Sequence, residues 1–277
     1  MRLTTSFALC VLVITSGTGV QAGDPTSIDA SSPELVAWAS ELVEFAATPS
    51  GAGTGSEALG IPDATFASLG DLDDPEINAG NAPGSITLSF GGQSIVNGSG
   101  WDFAVFENAG EFFDAPFIFA ELGFVQVSTD GQSFAQFPAT SLNTEPGTGT
   151  SDTDLIVPFG RDFAGVNANN VNNLAGIHPQ GFGTVFDLMD LELDPLVTSG
   201  VVDLDEINFV RVVDIPGNGA FLDEAGRPIL DAWLTTGTGG FDIDAVGVRN
   251  IVPEPIGQAL LLAGIGLWCG LRRNRRR

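Results

Sequence analysis

The run from Ile207 to Ile215 (INFVRVVDI) is apolar on both alternating faces apart from Arg211 and Asp214. A β-strand sends successive side chains to opposite faces, so such a strand needs hydrogen-bonded neighbours on both edges and cover on both sides. The run predicts a central strand in a layered β fold.

Other segments supply the neighbours. Ser85 to Phe90 alternates polar with apolar residues (Ile86, Leu88, Phe90), and Trp101 to Phe106 puts Trp101, Phe103 and Val105 on one face. Phe241 to Val248 (FDIDAVGV) reads as the last strand. Leu122 to Ser128 and Ser133 to Phe137 flank Thr129-Asp130-Gly131-Gln132, where Asp-Gly accepts the positive φ of a tight hairpin turn. Short strands punctuated by 36 glycines and 16 prolines predict an all-β fold, an antiparallel β-sandwich or jelly roll, over any parallel α/β arrangement. One short N-terminal helix is predicted as well. Ser32 can cap it, Pro33 suits its first turn, Glu34 complements its dipole, and Leu35, Trp38, Ala39, Leu42 and Phe45 recur at helical spacing. Thr48 to Gly60 reads as a glycine-rich loop.

The two ends read as addresses. Met1-Arg2, the apolar run Phe7 to Ile14 and Val20-Gln21-Ala22 make a secretory signal peptide, residues 1–22, cut after Ala22. At the other end Val252-Pro253-Glu254-Pro255 precedes an uncharged stretch, Ile256 to Leu271, and then Arg272, Arg273, Asn274, Arg275, Arg276 and Arg277. As a helix the stretch would reach about 24 Å, a marginal span of a ~30 Å hydrocarbon core, with the arginines held on the cytoplasmic side. Residues 23–251 between the signals form one domain.

The tail, residues 252–277, resembles the bacterial PEP-CTERM sorting signal: a Pro-Glu-Pro motif (Pro253, Glu254, Pro255), a short hydrophobic transmembrane helix and an arginine-rich end. The resemblance implies cleavage near the motif by an exosortase, a membrane transpeptidase-like enzyme, and delivery to the cell surface or an exopolysaccharide matrix. A second resemblance rests on Gly84 to Phe90 (GSITLSF), Trp101 to Asn108 (WDFAVFEN), Val125 to Phe137 (VQVSTDGQSFAQF), Asn173 to Gly176 (NLAG), Gly183 to Leu188 (GTVFDL) and Gly239 to Val248 (GGFDIDAVGV). These look like a bacterial cell-surface family, and the hairpin and closing strand are similar to galactose-binding-like jelly rolls.

Charge narrows the chemistry. The domain carries four arginines, Arg161, Arg211, Arg227 and Arg249, against 34 of the chain's 35 acidic residues, and the chain has no lysine. Such a surface repels phosphate backbones, which argues against nucleic acid. Lysine Schiff-base chemistry is excluded, and Cys10 and Cys269 both fall in the terminal segments, which excludes thiol catalysis, disulfide frameworks and cysteine zinc sites.

Three chemistries remain. Calcium takes six to eight oxygen ligands, and Asp102, Glu107 and Asn108 around one strand and Asp242 and Asp244 on another are its candidate ligands, with Asp223, Glu224 and Asp231 in the loop before. Asp242 and Asp244, two apart, should share one strand face and repel unless a cation or donor intervenes; a solvated acidic edge or loop-capping Asx turns would also explain them. Carbohydrate binding would use an exposed aromatic, with Trp233 in the 217–240 loop as candidate; Trp101 reads as core, and the absence of Tyr counts against sugar stacking. Catalysis would call on His178, but its Gly/Pro-flanked loop lacks a nucleophile elbow and reads as a hydrogen-bonding histidine. No catalytic residue is assigned and no enzyme is expected. The sequence points to an exported structural or binding module stabilised by calcium; a matrix carbohydrate-binding protein and a glycan hydrolase are the alternatives.

Overall fold

The structure, a computed structural model, describes residues 26–110, 117–143, 165–235 and 239–253. The signal peptide, Glu254, Pro255, the apolar stretch and the terminal arginines lie outside these residues.

In chain order the described strands are β1 (Ser27–Asp29), β2 (Ala37–Trp38), β3 (Glu41–Ala46), β4 (Ala67–Ser68), β5 (Ser85–Ser89), β6 (Gln93–Ile95), β7 (Phe103–Glu107), β8 (Phe117–Phe119), β9 (Gly123–Ser128), β10 (Ala135–Gln136), β11 (Thr140–Ser141), β12 (Gly165–Asn167), β13 (Val171–Asn172), β14 (Phe182–Phe186), β15 (Phe209–Asp214), β16 (Asp242–Val248) and β17 (Ile251–Pro253). One sheet runs β1-β14-β7-β16-β2, with β4 also on β16, and a second runs β10-β9-β15-β5-β3. Every ladder in both is antiparallel. Three two-stranded ribbons, β11-β13, β12-β8 and β17-β6, complete the all-β architecture.

The two sheets bury a common core. Ile86, Leu88, Val125, Val127, Val210 and Val212 come from one, and Phe103, Val105, Phe186, Ile243, Val246 and Val248 from the other. Phe186 stacks on Phe103 at 5.4 Å and meets Phe137 edge-on at 5.0 Å. A second cluster, including Ile118, Leu122, Leu174, Ile215, Ile229 and Leu230, covers one end.

Strand β15 is central, with Val210 paired to Val127 on β9 and to Leu88 on β5. Only one of its faces is fully buried, however. On the other, Arg211 donates to Thr87 Oγ1 and lies 3.8 Å from the Phe134 ring centroid, so an ion covers the outer surface of the strand.

The predicted N-terminal helix is replaced by β2 and β3. Ala37 and Trp38 pair with Val248 and Gly247, and Glu41–Ala46 pairs with β5. The helical spacing has a different cause: a register shift between Leu42 and Glu44 lets Leu42 face Leu88 while Phe45 faces Ile86. One inserted residue turns the strand's period of two into a spacing of three, which imitates a helix. Trp38, on the other sheet, packs against Phe106 at 5.4 Å.

The hairpin forms as β9 and β10, but its loop is wider than a two-residue turn, since Val127 pairs with Ala135. Asp130 accepts from the amides of Gln132 and Ser133, and Gly131 takes the positive φ. Strand β16 is followed by β17, whose Ile251, Val252 and Pro253 pair with Ile95, Ser94 and Gln93. Two short helices, α1 (Asp74–Asn78) and α2 (Pro195–Thr198), lie in loops. Among the described residues no helix is long and apolar enough to cross a membrane.

Candidate functional site

Antiparallel pairing brings the ends of several strands together at one edge of both sheets. Glu107 ends β7 opposite the start of β16, where Asp242 stands, and Asp214 ends β15 opposite Gly123 at the start of β9, just after Glu121. Asp71 follows β4, and Asp231 comes from the loop before β16. Asp214 lies between Val212 of the shared core and Ile215 of the second cluster, so the acids collect where the two apolar clusters meet.

All six of these carboxylates are buried, none more than 6% exposed. Backbone amides tether four of them by one oxygen. The Phe241 amide donates to Asp214 Oδ1 at 2.7 Å, Leu122 to Asp231 Oδ2 at 2.7 Å, Gly240 to Glu121 Oε1 at 3.0 Å and Thr235 to Asp71 Oδ2 at 3.2 Å. Four other oxygens, Glu107 Oε2, Asp214 Oδ2, Asp231 Oδ1 and Asp242 Oδ1, have no hydrogen-bond partner. Buried polar atoms are nearly always satisfied, so four such oxygens on neighbouring acids require a reason.

Electrostatics sharpen the point. Burial pushes the carboxyls of Asp71 and Asp242 up to about 7. Burial, reinforced by the neighbouring acids, raises Glu107, Glu121, Asp214 and Asp231 well above the usual carboxylate range. The arginines among the described residues are engaged elsewhere: Arg211 with Glu44, Arg227 with Asp223, and Arg249 with Glu34 and over the Trp101 ring. His178 bonds the Thr26 carbonyl through Nε2.

Glycines shape the same space. A Cβ on Gly240, which has a φ of +79°, would stand 2.8 Å from Asp214 Oδ1, and one on Gly217 would collide with Asp231 Oδ1. Among the described residues no three acidic, histidine or cysteine side chains are already gathered as they are around a bound ion.

Of the sequence-derived metal candidates, Glu107, Asp242 and the loop residue Asp231 belong to this centre. Asp102 does not. It accepts from the amides of Gly98 at 2.7 Å and Leu188 at 2.8 Å and from Asn250 Nδ2 at 2.8 Å, and so ties three loops together. Asp244 falls in the register shift between Ile243 and Ala245 and accepts from the amides of Asp63 and Ala64, so it serves different partners from Asp242. Asp223 is paired with Arg227 at 2.8 Å. Trp233 is 8% exposed and donates its indole N–H to the Leu72 carbonyl, so it is not the exposed aromatic that sugar stacking requires. A surface groove of about 370 Å³ between Phe137, Leu191, Leu193 and Leu222 likewise offers no open aromatic face, since its two rings, Phe124 and Phe137, are buried.

Asp71, Glu121 and Asp214 were missed by sequence reasoning. Asp214 left a signal, a charge inside an otherwise apolar strand; Asp71 and Glu121 read as ordinary loop acids. The fold and site define an antiparallel all-β protein with a buried acidic centre. No family model and no curated protein matches the chain.

Proposed function

We propose that the chain is an exported cell-surface or exopolysaccharide-matrix protein, a calcium-stabilised structural or binding module released from its PEP-CTERM-like tail by an exosortase-type enzyme. The observation that carries this reading is the junction at Pro253. Strand β17 reaches the first proline of Pro253-Glu254-Pro255, so the described fold runs up to the motif. Proline lacks the N–H that would extend a ladder, and it suits the last position of an edge strand before a change of module. A galactose-binding-like jelly roll is the form this reading gives to the two sheets. The apolar stretch 256–271 then holds the precursor in the membrane, with Arg272, Arg273, Arg275, Arg276 and Arg277 on the cytoplasmic side.

Mass spectrometry of the mature C-terminus, on protein recovered from the producing cell's surface and medium, tests the reading. A terminus at or next to Pro253-Glu254-Pro255 is expected. A mature chain that retains Arg277 contradicts it.

A further inference from the structure

We infer that the buried centre formed by Asp71, Glu107, Glu121, Asp214, Asp231 and Asp242 binds calcium. The inference rests on the calcium-stabilised reading above and places the ion away from Asp102 and Asp244.

Its first support is the set of orphaned oxygens. Asp214 and Asp231 each give one oxygen to a backbone amide and leave the other unpartnered, and Glu107 and Asp242 each leave one as well. A carboxylate tethered through one oxygen keeps the other available as a ligand. Its second support is the missing countercharge: each arginine among the described residues is committed to another acid. Buried charges are paired or coordinate metals, and a group of carboxylates with no cation side chain leaves a metal ion as the natural partner. The acids also pack against bare backbone: a Cβ on Gly217 or Gly240 would press on Asp231 Oδ1 or Asp214 Oδ1 and one on Gly239 would lie 3.1 Å from Asp71 Oδ2, so glycine at these positions is what admits the carboxylates to the centre.

The donor set selects the ion. Every candidate ligand is an oxygen, which disfavours zinc and copper; magnesium demands near-ideal octahedral geometry and releases its water reluctantly. Calcium accepts six to eight oxygens in irregular arrangements and suits a centre whose acids come from separate strands and loops. Because no three ligands are already gathered, ion entry has to draw the unpartnered side-chain oxygens together.

The test is calorimetric titration of calcium into the chelator-treated full chain in detergent, with magnesium as the competing probe. Asp214→Asn and Glu121→Gln should weaken calcium binding about ten-fold or more, while Asp102→Asn and Asp244→Asn stay within about three-fold of the parent. Melting in chelator guards against misfolding. Asp214→Asn and Glu121→Gln each replace a buried acid by its neutral isostere and keep the acceptor for the tethering amide, so they should melt at or above the parent. Binding that survives both substitutions but is lost in Asp102→Asn or Asp244→Asn overturns this site and leaves the calcium reading standing. A parent chain that binds no calcium overturns both. Variants that melt well below the parent in chelator also overturn the inference, since the acids would then be holding the fold together through shared protons.

Discussion

Asp102 shows how one residue can look like a metal ligand and serve another purpose. It is fully buried, which raises its carboxyl above the usual value, and it answers two backbone amides and the Asn250 side chain, which with nearby Arg249 act in the opposite direction. Removing the acceptor leaves the buried Leu188 N–H and the part-buried Asn250 amide without a partner, so Asp102→Ala should cost about 2–4 kcal/mol. Urea unfolding checks this, and the calcium response of the variant should match the parent's. Sequence could place an acid beside the Trp101 strand but could not reveal its partners, because Leu188 and Asn250 reach it from loops far along the chain. Asp214 was more legible, since a lone carboxylate at the end of an apolar strand is costly unless something compensates it.

At the scale of elements, alternation was enough to find β5, β7 and β15, and β16 was also legible as a strand although a register shift between Ile243 and Ala245 breaks its period. Alternation failed at β3. There the bulge between Leu42 and Glu44 spaces the inward residues three apart, and a local pattern cannot separate a bulged strand from a helix when capping residues precede it. The contact that fixes how the sheets stack is the ring group of Phe103, Phe137 and Phe186, one residue each from β7, the end of the hairpin and β14. Phe186→Ala should lose about 3–5 kcal/mol by leaving a cavity that the paired sheets cannot close. Denaturant midpoints with an unchanged m-value would support this; a loss below about 1 kcal/mol would mean that the rings are not what joins the sheets.

For the whole molecule the decisive fact is the distribution of acid. Much of the negative charge is solvated surface, yet six carboxylates sit at the junction of the two apolar clusters. That junction was not legible in the sequence, because Asp71, Glu121 and Asp231 reach it only through pairings between distant segments. Its pH dependence follows from the raised carboxyls. Without a cation, burial keeps protons on Asp71 and Asp242 up to about pH 7, whereas the unfolded chain releases them near about pH 4. The folded state therefore binds more protons across that interval, and stability contributed by the centre is full below about pH 4 and falls as pH rises through about 7. Melting in chelator from acid to neutral pH should show the decline; a rise over the same interval would contradict it.

The most direct measurement of the account is the melting temperature of the full chain at neutral pH, in millimolar calcium and in chelator. An ion that binds only the folded form at about one hundred times its dissociation constant adds about 2.7 kcal/mol, which for a domain of this size shifts the midpoint by roughly 5–10 °C. The account predicts such an upward shift with calcium, reversed by chelator and much smaller with magnesium. Superimposable curves in calcium and chelator would contradict it.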